Sequence, residues 1–202
     1  NKLKFFFPNS NKFFFNHGRG GFFALLKYFK NRSRKKVLIN SFTLFEMVNM
    51  IIYAGYEPIF VDNKKNDFAT NTIELIEKHK KEISIVVVTH LNGFNNEIFK
   101  IKKKINEINE NRHLEDKIFL VEDAAVSFGA KHKDIYCGSI GDFSILSFNI
   151  MKNITSLTGG ALIDNLKIIN FDQNENNPSY VSWIDILKKI FFVFMLHFLN
   201  SK

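Results

Sequence analysis

Two hydrophobic periodicities alternate along the chain. Five short runs rich in Val, Ile, Leu and Phe are typical of buried strands: residues 37–39, 58–62, 83–88, 118–121 and 143–148. Residues 20–29 predict a helix, and residues 44–53 a mostly buried one. Apolar residues that recur at three- and four-residue steps predict an amphipathic helix over residues 94–108. Strands that alternate with helices predict an α/β fold, with a mostly parallel sheet and helices on both of its faces.

Individual residues indicate where one predicted helix ends and where another begins. Gly55 follows the apolar run of residues 44–53, and glycine is the residue that most often ends a helix. Asn71 precedes Glu74 by three residues, which is the spacing of a capping box. We therefore expect a helix that begins after Asn71 and continues to Lys80.

The two ends of the chain depart from this alternation. The first 16 residues form two short apolar pieces around a turn at Pro8, without the apolar core or cleavage site of a signal peptide, so we expect a cytoplasmic protein. Residues 183–199 are almost continuously apolar, yet shorter than the roughly 20 residues that span a bilayer. They predict a helix buried against protein outside this sequence or, as the alternative, one that contacts a membrane surface.

Composition and charge narrow the class of protein. With 46% apolar and 24% charged residues, the chain is neither disordered nor collagen-like, and the single Cys137 excludes an internal disulfide. The net charge is +8, but the basic runs at residues 32–36, 78–81 and 102–104 are separated and interleaved with Glu. This pattern favours solvated helix faces over a surface that binds nucleic acid or an acidic membrane.

Three segments lie where an α/β sheet binds ligands, beyond the carboxyl ends of its strands. The glycine-rich residues 16–21 open a helix and would suit an anion, or form only a flexible turn. Asp123 ends a strand and could hold a metal, act as a base, pair with a protonated ring nitrogen or cap a helix. Lys152 follows another buried strand, where its amine could serve as a nucleophile, or it is one more surface lysine.

Together these segments offer what a pyridoxal phosphate (PLP) enzyme needs: a phosphate anchor, a partner for the pyridine nitrogen and a lysine that binds the aldehyde. The chain resembles the fold-type I, PLP-dependent sugar aminotransferases of the DegT/StrS type. The segments that carry the resemblance are Glu122-Asp123-Ala124-Ala125, Gly138-Ser139-Ile140-Gly141-Asp142, Ser147-Phe148, Lys152-Asn153-Ile154-Thr155 and Gly159-Gly160. Residues 37–62 resemble the strand–helix–strand of the family, and His90-Leu91-Asn92-Gly93 its histidine-and-glycine strand end.

The resemblance implies a role for each matching residue. Lys152 would bind the cofactor as a Schiff base and then shuttle a proton, and Asp123 would keep the pyridine nitrogen protonated. Ser147 and the backbone at Arg19 and Gly20, next to Gly18, would hold the phosphate. Leu44 occupies the position where many members stack an aromatic ring on the cofactor. No metal ligands are implied.

Three residues depart from the family pattern. Val126 replaces a Gln that lies near the hydroxyl of the cofactor, Leu44 replaces the stacking aromatic residue, and Asn149 replaces a His. The residues that would bind the aldehyde, the ring nitrogen and the phosphate match the family, whereas these three residues near the ring differ. Cofactor binding is therefore a firmer expectation than any particular reaction. The resemblance divides the chain into an N-terminal segment (1–17), a PLP-binding large domain (18–165) and an apolar C-terminal helical segment (166–202). It also implies truncation, with the small C-terminal domain of the family absent.

The implied function is transfer of an amino group, with glutamate as donor, to a keto sugar that is linked to a nucleotide, for cell-surface polysaccharide or related sugar biosynthesis. A homodimer with sites at the subunit interface is also implied. Three different interpretations stay open: a dehydratase-like relative, a non-catalytic remnant, and a basic module that binds peripherally to membranes or nucleic acid. Lys152 argues against those dehydratases in which histidine replaces the Schiff-base lysine.

Overall fold

The computed structural model describes residues 3–62, 70–91, 93, 95, 97–150, 152–171 and 183–200. Its strands are β1 (Asn11–Phe15), β2 (Lys36–Asn40), β3 (Glu57–Val61), β4 (Ile83–Thr89), β5 (Phe119–Asp123), β6 (Lys131–His132), β7 (Ile135–Tyr136), β8 (Phe143–Ser147) and β9 (Gly160–Asp164). Its α-helices are α1 (Leu3–Phe6), α2 (Gly18–Tyr28), α3 (Phe45–Tyr53), α4 (Thr72–His79), α5 (Ile98–Asn109) and α6 (Trp183–Asn200). A 3-10 helix covers Leu114–Asp116.

Seven strands form one sheet in the order β1-β9-β8-β5-β4-β2-β3. Strands β3, β2, β4, β5 and β8 are mutually parallel, and β9 runs antiparallel to both β8 and β1. All five strands expected from the apolar runs lie in this sheet. The prediction of a mostly parallel α/β sheet is therefore confirmed.

Helices cover both faces of the sheet because successive side chains of a strand point to opposite sides. On β2, Val37 and Ile39 join the core cluster that contains Leu25 of α2 and Ile51 of α3. Leu38, between them, joins a second cluster with residues of α4 and α5. The burial of β2 on both faces explains why its sequence is a continuous apolar run.

Four strands were not predicted from the sequence: two at one side of the main sheet and two in a separate sheet. β1 and β9 pair antiparallel with Phe13 opposite Leu162, and β6 and β7 form a separate small hairpin. The two apolar pieces expected in the first 16 residues are helix α1 and strand β1. Strand β1 thus joins the sheet of the large domain, and the proposed domain boundaries stay a prediction.

One of the two predicted helix boundaries forms as expected. Gly55 has a φ of 86°, and the N–H groups of Gly55 and Tyr56 donate to the carbonyls of Ile52 and Ile51, which is a Schellman motif. At the start of α4, Asn71 makes no side-chain capping hydrogen bond, and its buried Oδ1 has no partner within the described residues. The helix forms without the expected capping box because its apolar face packs into the core, with Ile76 fully buried.

Several side chains of the basic runs contact other parts of the fold, whereas the sequence favoured solvated helix faces. The buried Arg32 guanidinium donates to the carbonyls of Leu114, Glu115 and Lys117 and lies 4.5 Å from the ring centroid of Phe119. Further members of the runs form ion pairs: Arg34 with Asp116, Lys36 with Glu57 and Glu82, Lys80 and Lys104 with Glu77, and Lys102 with Asp142. Acidic partners neutralise much of this charge locally.

The predicted C-terminal helix forms as α6. Several of its apolar side chains are exposed, among them Ile184, Leu187, Phe191 and Phe194. None of the described helices is both long and apolar enough to cross a membrane.

Candidate active site

A cavity of about 250 Å³ opens at the carboxyl edge of the parallel strands. It is lined by Phe42, Thr43, Leu44, Thr89, Leu91, Asp123, Ala125, Val126 and Lys152. Thr89 and Asp123 are the last residues of the neighbouring strands β4 and β5, and Lys152 follows β8. Three residues predicted from the sequence, Leu44, Asp123 and Lys152, therefore share one cavity.

Asp123 is a buried carboxylate that faces this cavity. One oxygen, Oδ1, accepts a hydrogen bond of 3.1 Å from the Ala125 N–H, which fixes the side chain in the turn after β5. Burial raises the pKa of Asp123, while the Ala125 N–H, Lys152 and His90 act in the opposite direction. The charged form would be favoured further by a cation placed next to it in the cavity.

Glu122, the adjacent acid, points to the other side of the sheet. Its fully buried carboxylate accepts hydrogen bonds from the N–H groups of Gly138 (2.8 Å), Ile140 (2.6 Å) and Gly141, and from His90 Nε2 (2.9 Å). The alternation of a β-strand separates the two acids. Glu122 thus holds the loop at residues 138–141, and Asp123 is the acid of the pair that faces the cavity.

Lys152 lies in a loop that is tied back to the cavity wall. Its side chain is half-buried, and its backbone N–H donates to the Asn149 carbonyl at 3.0 Å. The next residue, Asn153, donates from Nδ2 to the carbonyl of Val126 at 3.1 Å. This bond links the lysine loop to the turn that follows Asp123. Two groups expected to work on the same ligand are thereby held in one place.

The first turn of α2 packs directly on the carboxyl end of β8 and the start of β9. A Cβ at Gly18 would lie 2.7 Å from the Leu146 carbonyl oxygen, and a Cβ at Gly160 would lie 2.2 Å from the Gly18 nitrogen. Neither contact leaves room for a side chain. The two glycines bring the positive end of the helix dipole next to Ser147, the last residue of β8.

The remaining residues predicted to hold phosphate lie beside the cavity and not in its wall. Arg19 Nη1 is 3.6 Å from Glu46 Oε1, which links the first turns of α2 and α3. The Gly20 N–H already donates to the His17 carbonyl at 3.0 Å, so it is not a free donor. Burial, followed by the charges of Arg19 and Lys189, lowers the pKa of His17. Two positive charges, Arg19 and Lys189, thus lie near His17 at this turn.

Several cavity residues were not predicted as part of a site, notably Thr89. Its pairing with Asp123 across β4 and β5 places both side chains on one face of the sheet. The sequence offers only its position at the end of a buried strand, where ligands of α/β sheets bind. Within the described residues, no group of three or more His, Cys, Asp or Glu side chains could hold a metal ion.

The model of the DegT/DnrJ/EryC1/StrS aminotransferase family matches residues 6–169. This chain belongs to that family. Family membership confirms the resemblance to DegT/StrS-type aminotransferases seen in the sequence. The structure agrees with this membership, because Asp123 and Lys152 lie in the wall of one cavity.

Curated relatives of the chain are named for different amino sugars. The chain is 31% identical over 134 residues to a GDP-perosamine synthase of Escherichia coli O157:H7, covering 66% of this chain and 35% of the relative. It is 30% identical over 136 residues to a UDP-4-amino-4,6-dideoxy-N-acetyl-beta-L-altrosamine transaminase of Campylobacter jejuni, covering 66% and 34%. The chain thus spans about a third of the length of the relatives it matches.

Solved structures of proteins named as aminotransferases, and of one named as a dehydratase, share the fold. A Streptococcus pneumoniae protein in its PLP form, provisionally named a sugar aminotransferase, superposes with a TM-score of 0.73 at 18% identity, covering 87% of this chain and 47% of that one. The Helicobacter pylori aminotransferase PseC gives a TM-score of 0.67 at 21% identity, covering 81% and 42%. An E. coli GDP-4-keto-6-deoxy-D-mannose-3-dehydratase with bound PLP gives 0.67 at 18%, with the same coverage.

The cavity fits the cofactor of the family, PLP. It offers a half-buried lysine for the aldehyde and a buried carboxylate for the ring nitrogen, with the glycine-lined helix terminus beside it for the phosphate. Leu44, at the N-terminus of α3, lines the cavity with an apolar side chain. Leu44 can cover a ring by apolar contact but cannot stack on it as an aromatic residue would.

Proposed function

We propose that this chain forms the PLP-binding portion of an aminotransferase that transfers an amino group from glutamate to a nucleotide-linked keto sugar. The proposed setting is cell-surface polysaccharide or related sugar biosynthesis in the cytoplasm. The observation that carries the proposal is the presence of Lys152 and Asp123 in the wall of one cavity, in a chain of the DegT family. Two relatives named for GDP- or UDP-linked amino sugars support the substrate class.

Lys152 and Asp123 would divide the chemistry between them. The Lys152 amine would bind the aldehyde of the cofactor and, once the amino donor has displaced it, would take and return the proton of the donor carbon. Asp123 would hold a proton on the pyridine nitrogen, and that cation would in turn stabilise the buried carboxylate. The bound cofactor supplies a cationic ring that accepts the electrons released when the proton leaves.

The phosphate group would be held at the first turn of α2. The helix dipole, the Arg19 N–H and the Ser147 hydroxyl are the proposed contacts. The Gly20 N–H already bonds to the His17 carbonyl, so it would not bind the phosphate itself. Gly18 and Gly20 would contribute because they lack side chains, which lets the backbone approach the phosphate. Arg19 would contribute positive charge even while its guanidinium pairs with Glu46.

A homodimer is part of this proposal, as implied by the resemblance to the family. A dehydratase-like function is less well supported because a lysine, not a histidine, stands at position 152. A non-catalytic remnant would differ in behaviour, since it would not bind PLP. A basic peripheral module would bind anionic lipid or DNA with strong salt dependence.

Titration of the purified chain with PLP tests the proposal. We expect a yellow absorbance band and a covalent adduct after borohydride reduction, found by mass spectrometry on the peptide that contains Lys152. Lys152→Ala should abolish both. Lys103→Ala, which removes an exposed lysine of α5, is the matched control and should leave both unchanged.

Two outcomes would contradict the proposal. If the wild-type chain gave no band and no adduct, it would not be a PLP-binding unit. If Lys152→Ala retained the reducible adduct, another lysine would hold the cofactor and the assignment of the site would be wrong.

A further inference from the structure

Thr89 carries a polar group in the cavity wall that the proposed function leaves unused. The hydroxyl oxygen is shielded from water and has no hydrogen-bond partner among the described residues, although the side chain lines the cavity. A buried hydroxyl without a partner is unfavourable, which marks this group as one that gains from a ligand. Because the side chain lines the cavity, a change of its χ1 rotamer would turn the hydroxyl toward the cavity.

The order of the strands defines which side of the cofactor Thr89 would meet. Strand β5 lies between β8 and β4, and Thr89 of β4 pairs with Asp123 of β5. Ser147 and the first turn of α2, the proposed phosphate contacts, lie on the β8 side. Neighbouring strands are about 4.8 Å apart, so Thr89 lies within side-chain reach of a ring bound at Asp123.

The chemistry of the ligand completes this placement. On the PLP ring, the phosphate arm lies on one side of the nitrogen. The methyl and hydroxyl substituents lie on the other side. If the nitrogen meets Asp123 and the phosphate lies toward β8, the ring hydroxyl faces β4. Val126, also in the cavity wall, cannot hydrogen-bond to that hydroxyl because its side chain is a hydrocarbon.

We infer that Thr89 donates a hydrogen bond to the ring hydroxyl of PLP and substitutes for the glutamine that Val126 replaces. The inference rests on the proposed function, since it requires the cofactor in this cavity. A donor at the ionised ring oxygen stabilises the deprotonated form of the bound chromophore. It therefore lowers the pH at which the yellow band is lost. Among the described residues, Lys152 and His90 are the charged or titratable groups that act on Asp123, and all three are the same in every variant below.

The test compares Thr89→Val with Thr89→Ser by spectroscopic pH titration of the PLP-bound chain. In Thr89→Val we expect the midpoint of the yellow band to rise by about one pKa unit and the PLP dissociation constant to increase about fivefold, the scale of one hydrogen bond. Thr89→Ser keeps the hydroxyl and should remain close to the wild type. The double variant Thr89→Val/Val126→Gln should lower the midpoint again, because the amide of Gln supplies a new donor.

The outcomes separate this inference from the proposed function. A wild-type chain that does not bind PLP would contradict the proposed function itself. If PLP binds but Thr89→Val leaves the midpoint and the dissociation constant unchanged, the role of Thr89 is wrong. If Thr89→Val raises the midpoint and Val126→Gln does not reverse the rise, the Thr89 hydroxyl would act through Asp123 and not through the ring hydroxyl. That result would also overturn the inference.

Discussion

Replacement of Gly160 by alanine tests the close contact that positions the first turn of α2. A Cβ at this position would lie 2.2 Å from the Gly18 nitrogen and 2.5 Å from the Gly18 Cα. Non-bonded carbon and nitrogen atoms do not approach below about 3 Å, and a backbone atom cannot rotate away as a side chain can. Strand β9 and helix α2 would therefore have to separate.

The expected cost follows from this overlap. Overpacking a well-packed region costs about 1–3 kcal/mol, and contacts between backbone atoms are expected at the upper end of that range. For a domain of this size, about 3 kcal/mol corresponds to a decrease of roughly 6–12 °C in the melting temperature. The displaced helix would also move away from Ser147, so affinity for PLP should fall more than affinity for pyridoxal, which lacks the phosphate.

Thermal unfolding, followed by circular dichroism, measures the effect against Gly20→Ala. A Cβ at Gly20 would lie 3.8 Å from Phe15 Cβ, which is an ordinary contact, and alanine favours a helix over glycine by up to about 1 kcal/mol. Gly20→Ala should therefore be as stable as the wild type or slightly more so. Equal melting temperatures for the two variants would refute the argument that the Gly18–Gly160 contact is tight.

Two further substitutions distinguish the adjacent acids of β5. Because burial raises the pKa of Asp123 in the fold, its ionisation destabilises the apo-protein as the pH rises from the unfolded pKa through the folded one. Asp123→Asn should therefore unfold at higher urea concentration than the wild type at neutral pH, with the difference lost in acid, while PLP binding weakens; equal midpoints at neutral pH would contradict this sign. Glu122→Gln should instead destabilise the fold by about 3 kcal/mol or more, because an amide cannot accept all the hydrogen bonds of the buried carboxylate. The exposed Glu77→Gln is its control, and equal urea midpoints would show that Glu122 does not hold the loop at residues 138–141.

Much of the fold could be predicted because burial on both faces is visible locally. The run that forms β4, from Ile83 to Val88, is apolar at every position except Ser84, as a strand covered by helices on both sides requires. Strands β1 and β9 were not predicted, because an antiparallel edge pair depends on a partner far away in the sequence. The capping box at Asn71 failed for a related reason, since packing of α4 decides its first turn without the side-chain bond.

The chemical groups of the candidate site are set by the sequence alone: a lysine after one strand, an aspartate at the end of another and glycines at the start of a helix. Only the tertiary structure decided which of them meet. The parallel crossover connections order the strands β8, β5 and β4 side by side, which brings Lys152, Asp123 and Thr89 into one cavity and turns Glu122 away from it. Strand order and register are set by packing between distant segments, so no local pattern in the chain could specify that Thr89 lies beside Asp123.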